Sequence, residues 1–148
     1  MTTSPKDLQE QTIDRFWEVI PPLWGTIRSH IRAAATGNFD ISVEQFHILR
    51  HIRRGMGSVS ELATAKNISR PAISQGVEVL VKKGLLTRVQ STQDRRCVEL
   101  ALTREGNNLL DVVFKETRSW MKKRMNKLTA DELTTVMNAM DALKKMLE

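Results

Sequence analysis

The stretch that decides the fold runs from residue 58 to residue 84: Ser58-Val-Ser-Glu61-Leu-Ala-Thr-Ala-Lys-Asn67-Ile-Ser69-Arg-Pro71-Ala-Ile-Ser-Gln75-Gly-Val-Glu-Val-Leu80-Val-Lys-Lys-Gly84. Ser58 followed by Glu61 is a capping box: the hydroxyl accepts from the amide three residues on and the Glu reaches back, which opens a helix. Leu62, Ala63 and Ala65 give that helix an apolar side. Asn67 and Ile68 make a brief turn. Ser69-Arg-Pro71 restarts a helix, with Ser as N-cap and proline in the first turn, where its missing N–H costs nothing. The inward positions Ile73, Val77 and Leu80 recur at steps of three and four, and Lys83-Gly84 closes the helix. Two short helices joined by a turn of about three residues make a helix-turn-helix.

Downstream, the hydrophobic period changes to two. Leu85 to Val89 reads as a strand and Cys97 to Leu102 as a second, with Val98, Leu100 and Leu102 expected inward and Cys97 outward beside Glu99. The polar loop Gln90 to Arg96 between them makes the pair a hairpin, a wing placed directly after the helix-turn-helix. Upstream, Ser42-Val-Glu-Gln45 is another capping box; Phe46, Leu49 and Ile52 form its buried stripe, and Gly55 and Gly57 stop it. Before that, Ser4-Pro5 opens a helical stretch with a broad apolar face: Ile13, Phe16, Trp17, Ile20, Leu23, Trp24, Ile27 and Ile31. Pro21-Pro22 interrupts it, leaving one kinked helix or two abutting helices over 5–20 and 21–35, ended by Gly37-Asn38. After the wing, Thr103 caps a long helix with Leu110, Val113, Phe114, Thr117 and Met121 on one face. A third box, Thr129 to Glu132, opens a last helix striped by Leu133, Val136, Met137, Met140, Leu143 and Leu147. The expected class is mainly α with a small β-hairpin wing (α+β). It forms one unit of residues 1–148, in which 40–104 are a winged helix-turn-helix and 1–37 with 105–148 a helical dimerisation region.

Charge locates the partner. The 148 residues hold 23 Lys+Arg and 17 Asp+Glu, a formal +6. Residues 58–104 carry eight basic and four acidic side chains, whereas 1–57 carry seven and six and 105–148 eight and seven. The excess is therefore concentrated on the helix-turn-helix and wing, as a polyanion-binding surface requires. No apolar run approaches the ~20 residues of a membrane-spanning helix, so no membrane partner is expected. The first ten residues lack a signal-peptide pattern, and the lone Cys97 excludes an internal disulfide framework; both fit a cytoplasmic location. No nucleophile–base set, phosphate-binding glycine loop or metal-ligand cluster is present, so neither an enzyme nor a cofactor is expected. His47 and His51 have a spacing that can share a metal, but no carboxylate or thiol is paired with them.

A helix-turn-helix lays its second helix in the major groove of double-stranded DNA. The exposed positions here are Ser69, Arg70, Pro71, Ala72, Ser74 and Gln75. Gln pairs with an adenine edge, Ser with several edges, and Ala72 meets a thymine methyl. Arg95 and Arg96 at the wing tip suit phosphates or a narrow minor groove. The apolar faces of the terminal helices are too broad for a small winged domain to cover and predict an interface with a second copy. A two-fold homodimer sets its recognition helices about 34 Å apart on a pseudo-palindrome. The competing reading is a winged-helix dimer acting as a protein–protein interaction module without specific DNA binding.

From Ser42 to Gly106 the chain resembles the multiple-antibiotic-resistance regulator (MarR) family of winged helix-turn-helix proteins. The resemblance is carried by Gln45-Phe46 and Leu49, Glu61-Leu-Ala63, Ser69-Arg-Pro-Ala-Ile-Ser74, Leu80-Val-Lys-Lys-Gly-Leu-Leu86, Asp94-Arg-Arg96 and Leu102-Thr-Arg-Glu-Gly106. It implies an obligate homodimer, a recognition helix from Ser69 to Lys82, Asp94 orienting the wing and Arg96 in the minor groove. It also implies a repressor of transcription released by a small aromatic or phenolic effector. The family often places Arg where this chain has Gln75, and a polar or basic residue where it has Val79. For the effector, Trp17, Pro21 and Trp24 opposite His47 and Arg50 are the candidates, since a cation beside indole rings holds an anionic aromatic by charge and stacking. Cys97 follows the two wing arginines, a setting able to lower a thiol pKa, but its default reading is a plain small residue without a redox role.

Overall fold

The computed structural model describes residues 4–148. Its elements are α1 (Pro5–Phe39), α2 (Val43–Arg53), α3 (Val59–Lys66), α4 (Arg70–Lys82), β1 (Leu86–Gln90), β2 (Val98–Leu102), α5 (Arg104–Met125), α6 (Ala130–Lys144) and a 3₁₀ turn (Lys145–Leu147). Two units meet within α5, the first ending at Val113 and the second spanning Phe114–Glu148.

In the first unit, side chains set each helix start. Ser42 Oγ accepts from Gln45 N at 3.1 Å while Ser42 N donates to Gln45 Oε1 at 3.0 Å. Ser58 and Glu61 make the same reciprocal pair at 3.1 and 3.2 Å, and Ser69 Oγ accepts from Ala72 N at 3.4 Å. Helix α4 ends on Gly84 at φ 71°, and Leu85 N donates back to Leu80 O at 2.9 Å. That bond needs a residue in the left-handed conformation, which glycine adopts without a Cβ penalty. Exit from α4 is thereby aimed into β1.

The helix-turn-helix sits on one apolar cluster. Phe46 and Leu49 of α2, Leu62 of α3, and Ile73, Val77 and Leu80 of α4 meet Leu86 and Leu100 at the root of the hairpin and Leu109, Leu110 and Val113 of α5. Each large side chain so buried contributes about 1.5–3 kcal/mol relative to exposure. β1 and β2 pair antiparallel from Leu86↔Leu102 to Gln90↔Val98, and Leu100 N donates to Gly57 O at 2.7 Å, fastening the hairpin to the entry of α3.

Three local expectations change, and the alternative left open at Pro21-Pro22 closes on a single helix. Pro21 and Pro22 lie inside one continuous α1: the two carbonyls that lose donors belong to Trp17 and Glu18, on an exposed stretch where water satisfies them. That helix runs past Gly37 and ends at Asp40, whose φ of 52° supplies the left-handed cap. Leu85 belongs to the α4 exit and not to the strand. Val98 is 59% exposed while Leu100 is 7% exposed, because the outer half of the hairpin projects beyond the core that buries its root.

In the second unit, Thr129 and Glu132 cap α6 reciprocally at 2.8 and 3.2 Å. Met137, Met140, Met146 and Leu147 are exposed apolar side chains there, and Arg124 lies over the Trp120 ring at 5.8 Å.

Candidate nucleic-acid interface

Three buried positions of α4 fix which way it faces. With Ile73, Val77 and Leu80 in the core, Ser69, Arg70, Pro71, Ala72, Ser74 and Gln75 are all exposed. Arg70 donates to the Ser60 hydroxyl of α3, so its guanidinium bridges the two helices of the motif. Sequence reasoning missed a second tie: Arg88 of β1 pairs with Glu78 of α4 at 2.8 Å, linking the recognition helix to the wing. The two residues are ten apart on different elements, and only the folded hairpin brings them together.

The wing loop is organised from beneath. Ser91, only 5% exposed, accepts through Oγ from Gln93 N at 3.3 Å and Asp94 N at 3.4 Å. Cys97 N donates to Asp94 O at 3.0 Å, and Ser91 N to Cys97 O at 2.9 Å. Asp94 Oδ1 in turn accepts from Arg96 N at 2.9 Å. Arg95 and Arg96 are exposed at this turn, and the Gln90 side chain donates to Arg95 O at 2.6 Å. Ser91 carried no sequence signal of its own; a serine in a polar loop reads as solvent-facing. Activation of Cys97 by the wing arginines is not what the loop provides. The Cys97 Sγ lies 3.7 Å from Asp94 Oδ2, and the carboxylate, not the arginines, governs it, so the thiol pKa is pushed up.

The five effector candidates are distributed. Trp24 stacks on His47 at 6.4 Å with 28° between the planes, joining α1 to α2. Trp17 is 69% exposed and meets Phe16 edge-on at 6.5 Å; Pro21 is exposed. Arg50 is half-buried, with a buried Nε that has no hydrogen-bond partner among the described residues, as is true of His51 Nδ1. Burial, then the charges of Lys66, Arg50, His51 and Arg28, push His47 down to about 4. His47 is therefore neutral at pH 7 in the folded protein, and the unfolded chain takes up its proton first as pH falls. Its contribution to stability is full above about pH 6.5 and is lost between there and about pH 4. The slope of unfolding free energy against pH across that window is expected to be shallower in His47→Gln, measured by urea titration; equal slopes in the two proteins would contradict it.

A cleft of about 450 Å³ lies elsewhere, walled by Ile48 of α2, Lys66 and Ile68 at the end of α3, and Ala72, Gln75 and Val79 of α4. Among the described residues no three His, Cys, Asp or Glu side chains are grouped to hold a metal ion, and no helix is long and apolar enough to cross a membrane.

Comparison with known proteins agrees with this geometry. The model of the MarR family matches residues 41–98, which span α2, the helix-turn-helix and the wing loop. The uncharacterized HTH-type transcriptional regulator YpoP of Bacillus subtilis (strain 168) is 29% identical over 107 residues, 72% of this chain and 76% of that protein. Among solved structures, Streptococcus pneumoniae FabT in complex with DNA superposes with a TM-score of 0.76 at 20% identity, over 91% of this chain and 96% of that one. Staphylococcus aureus MarR in complex with salicylate and kanamycin superposes with a TM-score of 0.71 at 20% identity, over 95% and 92%. At those identities the structures speak for the fold, and the matched family block for the motif. Residues 41–98 match the MarR family, and the chain is a MarR-like DNA-binding transcriptional regulator with a winged helix-turn-helix.

Proposed function

We propose that this protein is a homodimeric, cytoplasmic repressor that places α4 in the major groove of a pseudo-palindromic operator and its wing in the flanking minor groove. The observation that carries this reading is the placement of the exposed N-terminal face of α4 and the Asp94-ordered Arg95–Arg96 turn on one unit, joined by Arg88 and Glu78. Ser69 to Gln75 then meet base edges and backbone, Arg95 and Arg96 the phosphates or minor groove, and Asp94 sets the wing turn. The fold of FabT, solved with DNA, supports this use. Residues 1–37 and 105–148 form the dimerisation region, and 40–104 read DNA. Leu8, Ile13, Trp17 and Leu23 on α1, together with Met137, Met140 and Leu147 near the C-terminus, support that assignment as exposed apolar side chains in need of cover.

A small aromatic or phenolic acid releases the DNA. Trp17, Pro21, Trp24, His47 and Arg50 are its proposed contacts, supported by the Trp24–His47 stack beside an unpartnered guanidinium nitrogen. The likeness in fold to a MarR solved with salicylate points the same way. Gel retardation on the duplex upstream of the protein's own gene tests the reading, with sedimentation reporting mass. A dimer retarding that duplex and not a shuffled one, with salicylate quenching Trp fluorescence and releasing the DNA, is expected. A monomer, or the absence of sequence-specific retardation at moderate salt, would overturn it and favour a protein–protein interaction module. A flat salicylate titration with the dimer intact would remove the effector alone.

A further inference from the structure

We propose that the acidic opening turns of α1 from one copy seat on the basic second half of α5 from the other, so that opposite charges latch the dimer; this rests on the homodimer reading above. Residues 115–127 carry six basic side chains and one acidic, a larger excess than the eight against four of residues 58–104 that DNA reading uses. Lys115, Arg118, Lys122, Lys123, Arg124 and Lys127 are all exposed. Arg118 and Lys122, like Lys123 and Lys127, stand four residues apart on one helix, a spacing at which like charges repel. Arg124 lies over the Trp120 ring, and the other five cations make no ion pair among the described residues. An anionic surface laid along this stretch relieves that repulsion.

The chain itself supplies one. Asp7, Glu10, Asp14 and Glu18 recur at steps of three and four along α1, against only Lys6 and Arg15 in residues 5–20. All four acids are exposed; Glu18 pairs with Arg15 at 3.0 Å, whereas Asp7, Glu10 and Asp14 make no ion pair among the described residues. Helical spacing puts exposed Ile13 and Trp17 beside Glu10 and Asp14, and exposed Phe114 and Met125 beside Arg118 and Lys122. Each helix thus offers an apolar edge lined by one sign of charge, and the two signs are opposite. Their lengths agree as well, about 24 Å for residues 5–20 and about 20 Å for 115–127. The C-terminal part of α1 is committed to the core through Ile31, Ala34 and Ala35, and its N-terminal part is left uncovered in the single chain. A two-fold partner makes the contact twice, each copy giving one α1 and receiving one. Burial of the apolar edges alone would leave register open; matched charge fixes it.

Salt screens charge and leaves apolar burial in place, so sedimentation of the full-length protein without DNA is compared at about 0.1 and about 0.5 M NaCl. The dimer dissociation constant is expected to rise about tenfold at the higher salt. A constant that stays level or falls would overturn the proposal, and a monomer at both salts would overturn the homodimer reading with it. A second arm reverses charge. Glu10→Lys with Asp14→Lys in one chain, and Arg118→Glu with Lys122→Glu in another, should each weaken self-association about a hundredfold through like charges set face to face. Mixed, the two chains should form a heterodimer of parental affinity, because both contacts then join opposite signs. Either variant dimerising like the parent would overturn the latch. So would a mixture that stays monomeric; if a single chain carrying all the substitutions then recovers, the pairing lies within one chain. An Arg118→Glu, Lys122→Glu protein that stays dimeric yet holds DNA less tightly would give the stretch to phosphates and also overturn it. The salt arm uses the unaltered protein, so it decides the matter even where a variant fails to fold.

Discussion

Gly106→Ala is expected to destabilise the protein by about 3 kcal/mol, the upper part of the range for forcing atoms into a packed site. A Cβ at Gly106 would stand 2.2 Å from the carbonyl oxygen of Leu85 and 3.2 Å from Leu102 Cδ2. The first of these is backbone, and it cannot swing aside, because Leu85 O accepts from Thr103 N at 3.2 Å and Leu85 N is bonded to Leu80 O. On the other side, Thr103 Oγ1 holds Gly106 N at 3.1 Å and fixes the first turn of α5. The exit of α4, the start of the wing and the start of α5 therefore converge on a space sized for a hydrogen atom. Gly25→Ala in the middle of α1 is the matched control. Nothing lies within 4 Å of the added carbon, and the change should stabilise by up to about 1 kcal/mol through helix propensity. Urea unfolding of both variants checks the pair. A Gly106→Ala protein within 0.5 kcal/mol of the parent, roughly the scatter of neutral surface changes, would contradict the packing described.

Arg96→Ala is expected to lower operator affinity about tenfold to a hundredfold without changing thermal stability, since the side chain is exposed and its guanidinium makes no contact that the core requires. The salt dependence separates two ways of acting. If the guanidinium neutralises a phosphate, the slope of log affinity against log salt becomes shallower by about 0.9. If it enters a narrow minor groove, the loss instead tracks the A·T content of the flanks. Asp94→Ala distinguishes positioning from charge. Removing a negative charge beside DNA tightens binding on electrostatics alone, whereas losing the Asp94 acceptor frees Arg96 N and the wing turn. Weaker binding by Asp94→Ala is therefore expected. Tighter binding, measured by fluorescence anisotropy at fixed salt, would reduce Asp94 to a surface charge.

What was legible in the sequence was what local chemistry decides. The capping boxes at Ser42, Ser58 and Thr129, the Gly84 exit and the three-residue turn around Asn67 and Ile68 all depend on residues within five positions of one another, and they formed as read. The exposed set from Ser69 to Gln75 followed from Ile73, Val77 and Leu80 being inward. Quantities set across the fold were not legible. Whether Pro21-Pro22 breaks a helix depends on whether the freed carbonyls reach water, and Val98 alternates correctly but sits beyond the core's edge. The Cys97 thiol turned on which neighbour it faces, Asp94 or the arginines, a matter of loop geometry that composition does not encode. Glu78–Arg88 and the Ser91 turn are likewise products of the hairpin's pairing register and fold. The aromatic residues of α1 were visible as a face, but its N-terminal part is left open in the single chain.

In the proposed dimer, two copies of one winged unit read DNA together, each through α4 and its wing. Hydroxyl-radical footprinting of the full-length protein on its operator tests this most directly. Two equivalent protected blocks are expected, centred about one helical turn apart, roughly 10–10.5 base pairs, each flanked on its outer side by a minor-groove protection that disappears with Arg96→Ala. A single block, or two blocks whose outer protections survive that substitution, would contradict it.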